Sequence, residues 1–253
     1  MPNSHMLPAP PLDRSRGNGA FYRARGASSI MRAAHFPDEV LAFFQMENLA
    51  AMETIATYGC SDLVELGCYD GRSLEIARAA GIDYLGIDLN TAAVDLLHQR
   101  IADERLQGRA RARVGDATRS QDWMGEVTGP RPLVLLPFNL LGNFPDPTVL
   151  LRSVEQVGGI ALLSVFAETP RATSVRRDYY RACGISPLAE APGPYGGIEF
   201  RSGDHFRSQS FSRDALVELS TSCGISVLGE TTNRVGHCLT VCLGQKETQP
   251  REH

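Results

Sequence analysis

The run Asp62-Leu-Val-Glu-Leu-Gly-Cys-Tyr-Asp-Gly-Arg-Ser73, followed by Tyr84-Leu-Gly-Ile-Asp-Leu-Asn90, constrains the fold more than any other part of the chain. It reads as strand, glycine turn, helix, strand, with an acid, Glu65 and then Asp88, at the tip of each strand. Glycines in such a turn adopt backbone conformations closed to other residues and let a ligand approach the main chain. An acid roughly 20 residues beyond the first is placed to grip ribose hydroxyls, so the stretch opens a nucleotide-binding α/β unit.

Short β-branched runs at 62–66, 84–88, 111–115, 133–138 and 159–166 alternate with amphipathic stretches. That rhythm predicts a parallel sheet covered by helices on both faces and joined by right-handed crossovers. Gly81 and Gly108 punctuate helix ends. The last two strands, 226–232 and 237–243, are joined by a link too short for a parallel crossover, so they pair antiparallel. Around this domain, expected over 59–244, the chain adds a loose Pro/Gly/Arg-rich segment at 1–19, a helical lid at 20–58 and a polar tail at 245–253. The lid pattern carries Val40, Leu41, Phe43, Phe44, Met46 and Leu49 after a start at Pro37-Asp38-Glu39. Residues 168–211 break the rhythm with a helix (172–183), a Pro/Gly-rich loop (187–197) and a β-like segment (198–207), read as an insertion capping the active face.

A chain of 253 residues with 43% hydrophobic content supports one sizeable domain with embellishments. Its formal charge of -4, with no basic field, argues against nucleic acid and for a small-molecule partner. Six scattered cysteines read as reduced thiols, and Cys238 and Cys242 are spaced for neither a zinc knuckle nor a redox dithiol. Apolar runs stay below about 18 residues and no leader pattern precedes the fold, which predicts a cytoplasmic protein without membrane association. Ser4-His5-Met6 is what a cloning junction leaves. The oligomeric state, a homodimer included, is left open.

A first strand ending in an acid and a glycine turn, a second ending in Asp88, a third ending in Val114-Gly-Asp116 and a closing antiparallel hairpin together resemble the class I S-adenosylmethionine-dependent methyltransferases over roughly residues 60 to 244. The resemblance implies a Rossmann-like seven-stranded, mostly parallel sheet whose last strand is antiparallel. It also implies S-adenosylmethionine as cofactor, S-adenosylhomocysteine as product, and no metal. The family turn, acid-x-Gly-x-Gly-x-Gly, stands here as Glu65-Leu-Gly67-Cys68-Tyr69-Asp-Gly71, with Tyr69 in place of the middle glycine. By resemblance, Glu65, Gly67, Cys68, Tyr69 and Gly71 face the methionine half, Asp88 and Leu89 the ribose, and Asp116, Ala117 and Thr118 the adenine. Phe138 and Asn139 end the fourth strand, while Tyr22 and Arg25, or Arg32, reach in from the lid. A single acid such as Asp116 can also be read as a cap on the following helix, a reading that fits three successive strand ends poorly.

Gly142-Asn143-Phe144 is similar to a turn in histidine-betaine-forming N-methyltransferases, which implies contact of Asn143 with substrate; the local signals also fit a turn followed by an Asp146 cap with Pro147. A sulfonium already carries an activated methyl group, so the protein has to align a nucleophile and exclude water. An amine needs only to bind neutral, whereas a hydroxyl calls for a base. Candidate bases are His35, Tyr180 and His205; candidate substrate contacts are Asn139, Asn143, Tyr179, Tyr195 and Glu199, with Asp204 nearby. His98 is read as surface and His237 as part of the sheet edge. The expected activity is methyl transfer to nitrogen or oxygen of a small, natural-product or amino-acid-derived molecule. A protein or RNA methyltransferase, a non-catalytic cofactor-binding scaffold and a nicotinamide reductase remain as alternatives.

Overall fold

The computed structural model describes residues 19–25 and 27–244; the N-terminal segment expected to be loose, up to residue 18, with its Ser4-His5-Met6 junction, and the tail 245–253 lie outside the described residues. The elements run α1 (Gly19–Arg25), α2 (Asp38–Tyr58), β1 (Asp62–Leu66), α3 (Leu74–Ala80), β2 (Asp83–Asp88), α4 (Thr91–Asp103), β3 (Ala110–Val114), β4 (Pro132–Leu136), α5 (Pro147–Glu155) and β5 (Gly159–Phe166). They continue with α6 (Pro170–Ala182), β6 (Ala189–Pro192), β7 (Ile198–Arg201), β8 (Arg207–Gln209), α7 (Arg213–Ser222), β9 (Ser226–Thr232) and β10 (Gly236–Leu243). Seven strands form one sheet in the order β3-β2-β1-β4-β5-β10-β9. Every neighbouring pair is parallel except those of β10, which is antiparallel to both β5 and β9. This is the Rossmann-like sheet expected, with a single reversed strand.

Side chains alternating along the central strands sort into two cores. Leu63, Leu133, Leu135, Ile160 and Leu162 face one layer with Val40 and Phe43 of α2 and Leu97 of α4. Val64, Leu66, Leu85, Val134, Leu136 and Leu163 face the other, with Leu150 and Val154 of α5 and Leu216 of α7. Strands buried on both faces read as continuous apolar runs, and each fully buried Leu or Val contributes about 1.5 to 3 kcal/mol. The edge strand β3 differs: Arg111 and Arg113 blunt it against pairing with another chain.

Helix starts follow local chemistry. Asn90 accepts from the Ala93 amide at 3.0 Å, Asp146 from Thr148 at 3.0 Å with Pro147 in the first turn, and Thr169 from Ala172 at 3.1 Å. Gly81 ends α3 in the left-handed region, whereas α4 stops at Asp103, and Arg105, not Gly108, takes the positive φ.

Two segments differ from the sequence reading. Over 38–58 the expected lid is a layer helix, with Val40, Phe43, Phe44, Glu47, Ala51 and Thr54 buried, while Gly19, Tyr22, Ile30 and Met31 of the preceding stretch lie at the carboxyl end. Gly236 of β10 is what admits the helix, since a Cβ there would run into the Phe43 ring. In the insertion, the loop expected at 187–197 contains β6, and the segment 198–207 is a hairpin of β7 and β8 that turns at 202–206. β6 escapes pattern reading because Ala189-Glu-Ala-Pro192 is exposed throughout and exists only by pairing with β7.

Candidate active site

The chain order of the strands reverses between β1 and β4, and ligands bind at the carboxyl ends of strands where such a reversal opens a crevice. A cleft, partly open to solvent, lies there. Its floor comes from the turn after β1 (Gly67 to Arg72), from Asp88 and Leu89, from Gly115 to Ala117 and from Pro137 and Phe138. Its cover comes from Gly19, Tyr22, Ile30 and Met31, and its far wall from Leu140, Asn143 and Phe144.

The acids at the strand tips are held by the backbone they organise. Asp88 is buried and accepts from the Tyr69 amide through Oδ2 and from the Asn90 amide through Oδ1, both at 2.9 Å. Each oxygen accepts one of these amides, so lone pairs remain on both. Burial raises its pKa, opposed by the backbone amides of Asn90, Tyr69 and Leu89. Asp116 uses Oδ1 for the amide (2.9 Å) and hydroxyl (2.7 Å) of Thr118. Its carbonyl accepts from Trp123 Nε1 at 3.0 Å, tying the chain's one tryptophan to the site. Glu65 accepts from the Ser73 amide (3.1 Å), the Ser73 hydroxyl (2.8 Å) and the Tyr84 hydroxyl (2.7 Å), locking the turn to the start of α3, and burial raises its pKa.

The turn itself is pinned to β2, with Gly67 and Cys68 donating to the Ile87 carbonyl at 2.7 and 3.1 Å. Gly67 and Gly71 have φ of 68° and 81°, and Tyr69, at the family's middle-glycine position, has φ of 48°. The tyrosine therefore keeps a glycine's backbone, at a cost of about 1 to 2 kcal/mol. Tyr69→Gly is expected to leave stability within about 1 kcal/mol of the parent, because relieved strain offsets added chain entropy, while Tyr69→Val costs about 1 to 2 kcal/mol. Denaturant unfolding checks this; equal tolerance of Val and Gly contradicts it.

Glu47 was absent from the sequence candidates. It is fully buried on α2, ion-paired to Arg72 of the turn, and it accepts the Phe138 amide at 2.7 Å. The Arg72 guanidinium lies 4.5 Å from the Phe44 ring centroid and lines the cleft. Phe138 and Asn139 are consecutive left-handed residues with φ of 42° and 63°, so Glu47 holds a strained strand end. A carboxylate falling on the buried period of α2, between Phe43, Phe44 and Ala51, is the signal that marks it. Ile30, Met31 and Asp70 also line the cleft without a sequence signal of their own.

Of the expected contacts, Glu65, Gly67, Cys68, Tyr69, Asp88, Leu89, Asp116, Ala117, Phe138, Tyr22 and Asn143 meet at this cleft. Gly71 and Thr118 stand behind it, supporting the turn and Asp116. The others are elsewhere. Asn139 is buried with its amide spent, Oδ1 on the Phe166 amide and Nδ2 on Ser208, each at 3.0 Å. Glu199 is buried between Arg201 and Arg207, both at 2.6 Å, and Tyr195 stacks on Phe211. Tyr179 donates to the Ile30 carbonyl, and Tyr180 bonds to Ser208 at 2.6 Å. Arg25 pairs with Asp204 of the β7–β8 turn at 3.0 Å, His205 is exposed on that turn, and His35 ends a short 3-10 turn outside the cleft. Arg32 donates to the Ser28 carbonyl at 3.2 Å. His98 is exposed, as expected, but His237 sits in an interior strand, since β9 forms the edge.

No curated protein sequence matches the chain. Among solved structures it is similar to the 1,6-didemethyltoxoflavin N1-methyltransferase of Burkholderia thailandensis, crystallised with 1,6-didemethyltoxoflavin and S-adenosylhomocysteine (TM-score 0.63, 16% identity, 94% of this chain and 93% of that one). It is also similar to magnesium protoporphyrin IX methyltransferase of Synechocystis, with S-adenosylhomocysteine (0.59, 14%, 88% and 97%), and to an O-methyltransferase of neocarzinostatin biosynthesis bound to 1,4-dihydroxy-2-naphthoic acid (0.55, 16%, 88% and 61%). At these identities the likeness is one of fold. A family model described as a methyltransferase domain matches residues 22–228, a span that includes every cleft-lining residue except Gly19. On that match and this fold, the chain belongs to the methyltransferase domain family, of the class I S-adenosylmethionine-dependent type.

Proposed function

We propose that the protein moves the methyl group of S-adenosylmethionine to a nitrogen or oxygen atom of a small molecule, with S-adenosylhomocysteine as product. The observation that carries this reading is the convergence of Gly67, Asp88 and Asp116 on one cleft with acceptor capacity to spare. The cofactor fits these residues. Gly67 leaves its backbone open, since a Cβ there would lie 3.2 Å from Leu140 and above the cleft floor. Asp88 has lone pairs left for two ribose hydroxyls, and Asp116 keeps Oδ2 for an exocyclic amine. When bound, the sulfonium supplies an activated methyl group. The chain's own residues then bind, orient and dry the site: Leu89 and Ala117 flank the nucleoside, Cys68 and Tyr69 the amino-acid half.

Tyr22, Ile30, Met31, Phe138, Leu140 and Phe144 form an apolar wall in which Asn143 and the Tyr22 hydroxyl are the polar groups. An enclosed wall of this kind favours a compact, largely apolar acceptor over a peptide or an RNA strand. The similar structures crystallised with 1,6-didemethyltoxoflavin and with 1,4-dihydroxy-2-naphthoic acid support the same reading. We assign residues 19–35 and the insertion 168–211 the role of a cover, because Arg25 with Asp204, and Phe21 with Phe206 at 5.3 Å, join the two. Four buried cysteines suit a reducing, cytoplasmic setting.

Parallel calorimetric titrations with S-adenosylhomocysteine and NADH test the reading. Stoichiometric binding of the first alone is expected, with a change in Trp123 fluorescence; binding of NADH alone overturns it.

A further inference from the structure

α1 has seven residues, and isolated helices shorter than about 12 to 15 residues are marginal in water. Its place is therefore set by what it touches. On one side Phe21 is buried edge-on against Phe206 at 5.3 Å, and Arg25 pairs with Asp204 at 3.0 Å, both partners lying in the β7–β8 turn. On the other side Gly19 packs on Leu89, where a Cβ would lie 3.5 Å from Cδ1. There too Asn90 Nδ2 donates to the Tyr22 carbonyl at 3.0 Å and to the Arg23 carbonyl at 3.4 Å. These two residues belong to the last turn of α1, where carbonyls have no partner within the helix.

Every polar group of Asn90 is engaged. Its backbone amide donates to Asp88 Oδ1 at 2.9 Å, its carbonyl accepts from Val94 at 3.1 Å, and its Oδ1 accepts from the Ala93 amide at 3.0 Å as the N-cap of α4. That last bond fixes the orientation of the side-chain amide, so Nδ2 is the end that faces α1. One side chain thus caps two helices, the start of α4 with its oxygen and the end of α1 with its nitrogen. It does so next to the acid assigned to the ribose. α1 in turn reaches across the cleft, since Gly19 and Tyr22 line it together with Asp88 and Leu89 and with Phe138 and Asn143.

We propose that Asn90 is a positioning residue that couples cofactor binding to α1. A ribose on Asp88 steadies the junction of β2 and α4, Asn90 carries that order to the Tyr22 and Arg23 carbonyls, and α1 is held more firmly over the cleft with the cofactor beneath it. This rests on the methyl-transfer reading and adds to it that the Tyr22 part of the acceptor wall is set by the cofactor. Coupling of this kind is reciprocal, so the firmness that the cofactor gives α1 returns as affinity for the cofactor.

The test is amide hydrogen exchange over residues 19–25, read by mass spectrometry with and without saturating S-adenosylhomocysteine, in the parent protein and in Asn90→Ser. Serine keeps an oxygen for the α4 cap and the backbone amide for Asp88 but lacks the amide donor that reaches α1. In the parent the ligand is expected to slow exchange in 19–25 about tenfold, a factor usual for coupled sites. In Asn90→Ser that slowing is expected to shrink to about twofold or less, with S-adenosylhomocysteine bound about fivefold more weakly and exchange in the first turn of α4 unchanged. Where Asn90→Ser does not fold, Asn90→Asp, which also keeps a capping oxygen, carries the same expectation. A parent that binds the ligand without slower exchange in 19–25, slowing that persists in full in the variant, or α4 loosened as much as α1 overturns the proposal and leaves the methyl-transfer reading standing. A parent that binds no S-adenosylhomocysteine brings down both.

Discussion

Asp88→Ala is expected to weaken S-adenosylhomocysteine binding by about 100-fold or more and to take turnover below detection. Two effects combine. The proposed ribose contacts are charge-assisted hydrogen bonds, worth about 1.5 to 3 kcal/mol each when removed. The same carboxylate accepts from the Tyr69 and Asn90 amides at 2.9 Å, so its loss also frees the turn and the first residues of α4. Asp88→Asn separates the two, because an amide oxygen can still accept one of those N–H groups while the charge is gone. An intermediate affinity is expected for it by calorimetry. Unchanged binding in both variants would place the ribose elsewhere.

The second large effect is on stability. Glu47→Ala strips the partner from Arg72 and leaves the Phe138 amide unbonded at a buried, strained strand end. Removing one member of a buried pair costs about 3 to 5 kcal/mol. For a domain of this size that corresponds to a midpoint lower by about 6 to 20 °C. Glu47→Gln keeps an acceptor for Phe138 and is expected to recover part of the loss. Thermal unfolding of the two variants distinguishes charge from hydrogen bond; a midpoint for Glu47→Ala within about 2 °C of the parent would mean the pair is dispensable.

What the sequence made legible was local. The central strands announced themselves because burial on both faces leaves Leu133-Val-Leu-Leu136 and Ile160 to Phe166 almost wholly apolar. The acids at 65, 88 and 116 stood out because a strand tip and the following helix start are contiguous in sequence. The reversal of β10 followed from the length of one connection. The rest depended on contacts between distant segments. Asn139 looked like a ligand contact because it ends β4, yet β5 and β8 claim both ends of its amide. The paired polar residues of the insertion, Glu199 among them, read as a pocket lining when each in fact satisfies a neighbour within its own small sheet. Ile30 and Met31 belong to a segment without periodicity, and long-range contacts such as that of Tyr179 with the Ile30 carbonyl accompany their place at the cleft.

The reversed strand sets an order on synthesis. β5 presents a fully buried row from Ile160 to Phe166, and the neighbour that covers its outer edge, β10, is also the last strand to leave the ribosome. β9 precedes β10 in the chain but touches the sheet only through it. A nascent chain therefore carries an apolar, unpaired edge through the whole translation of residues 167–235, and completes its sheet only when the last strand slots between two waiting ones. The sheet is consequently closed late, by the strand whose partners on both sides are already made.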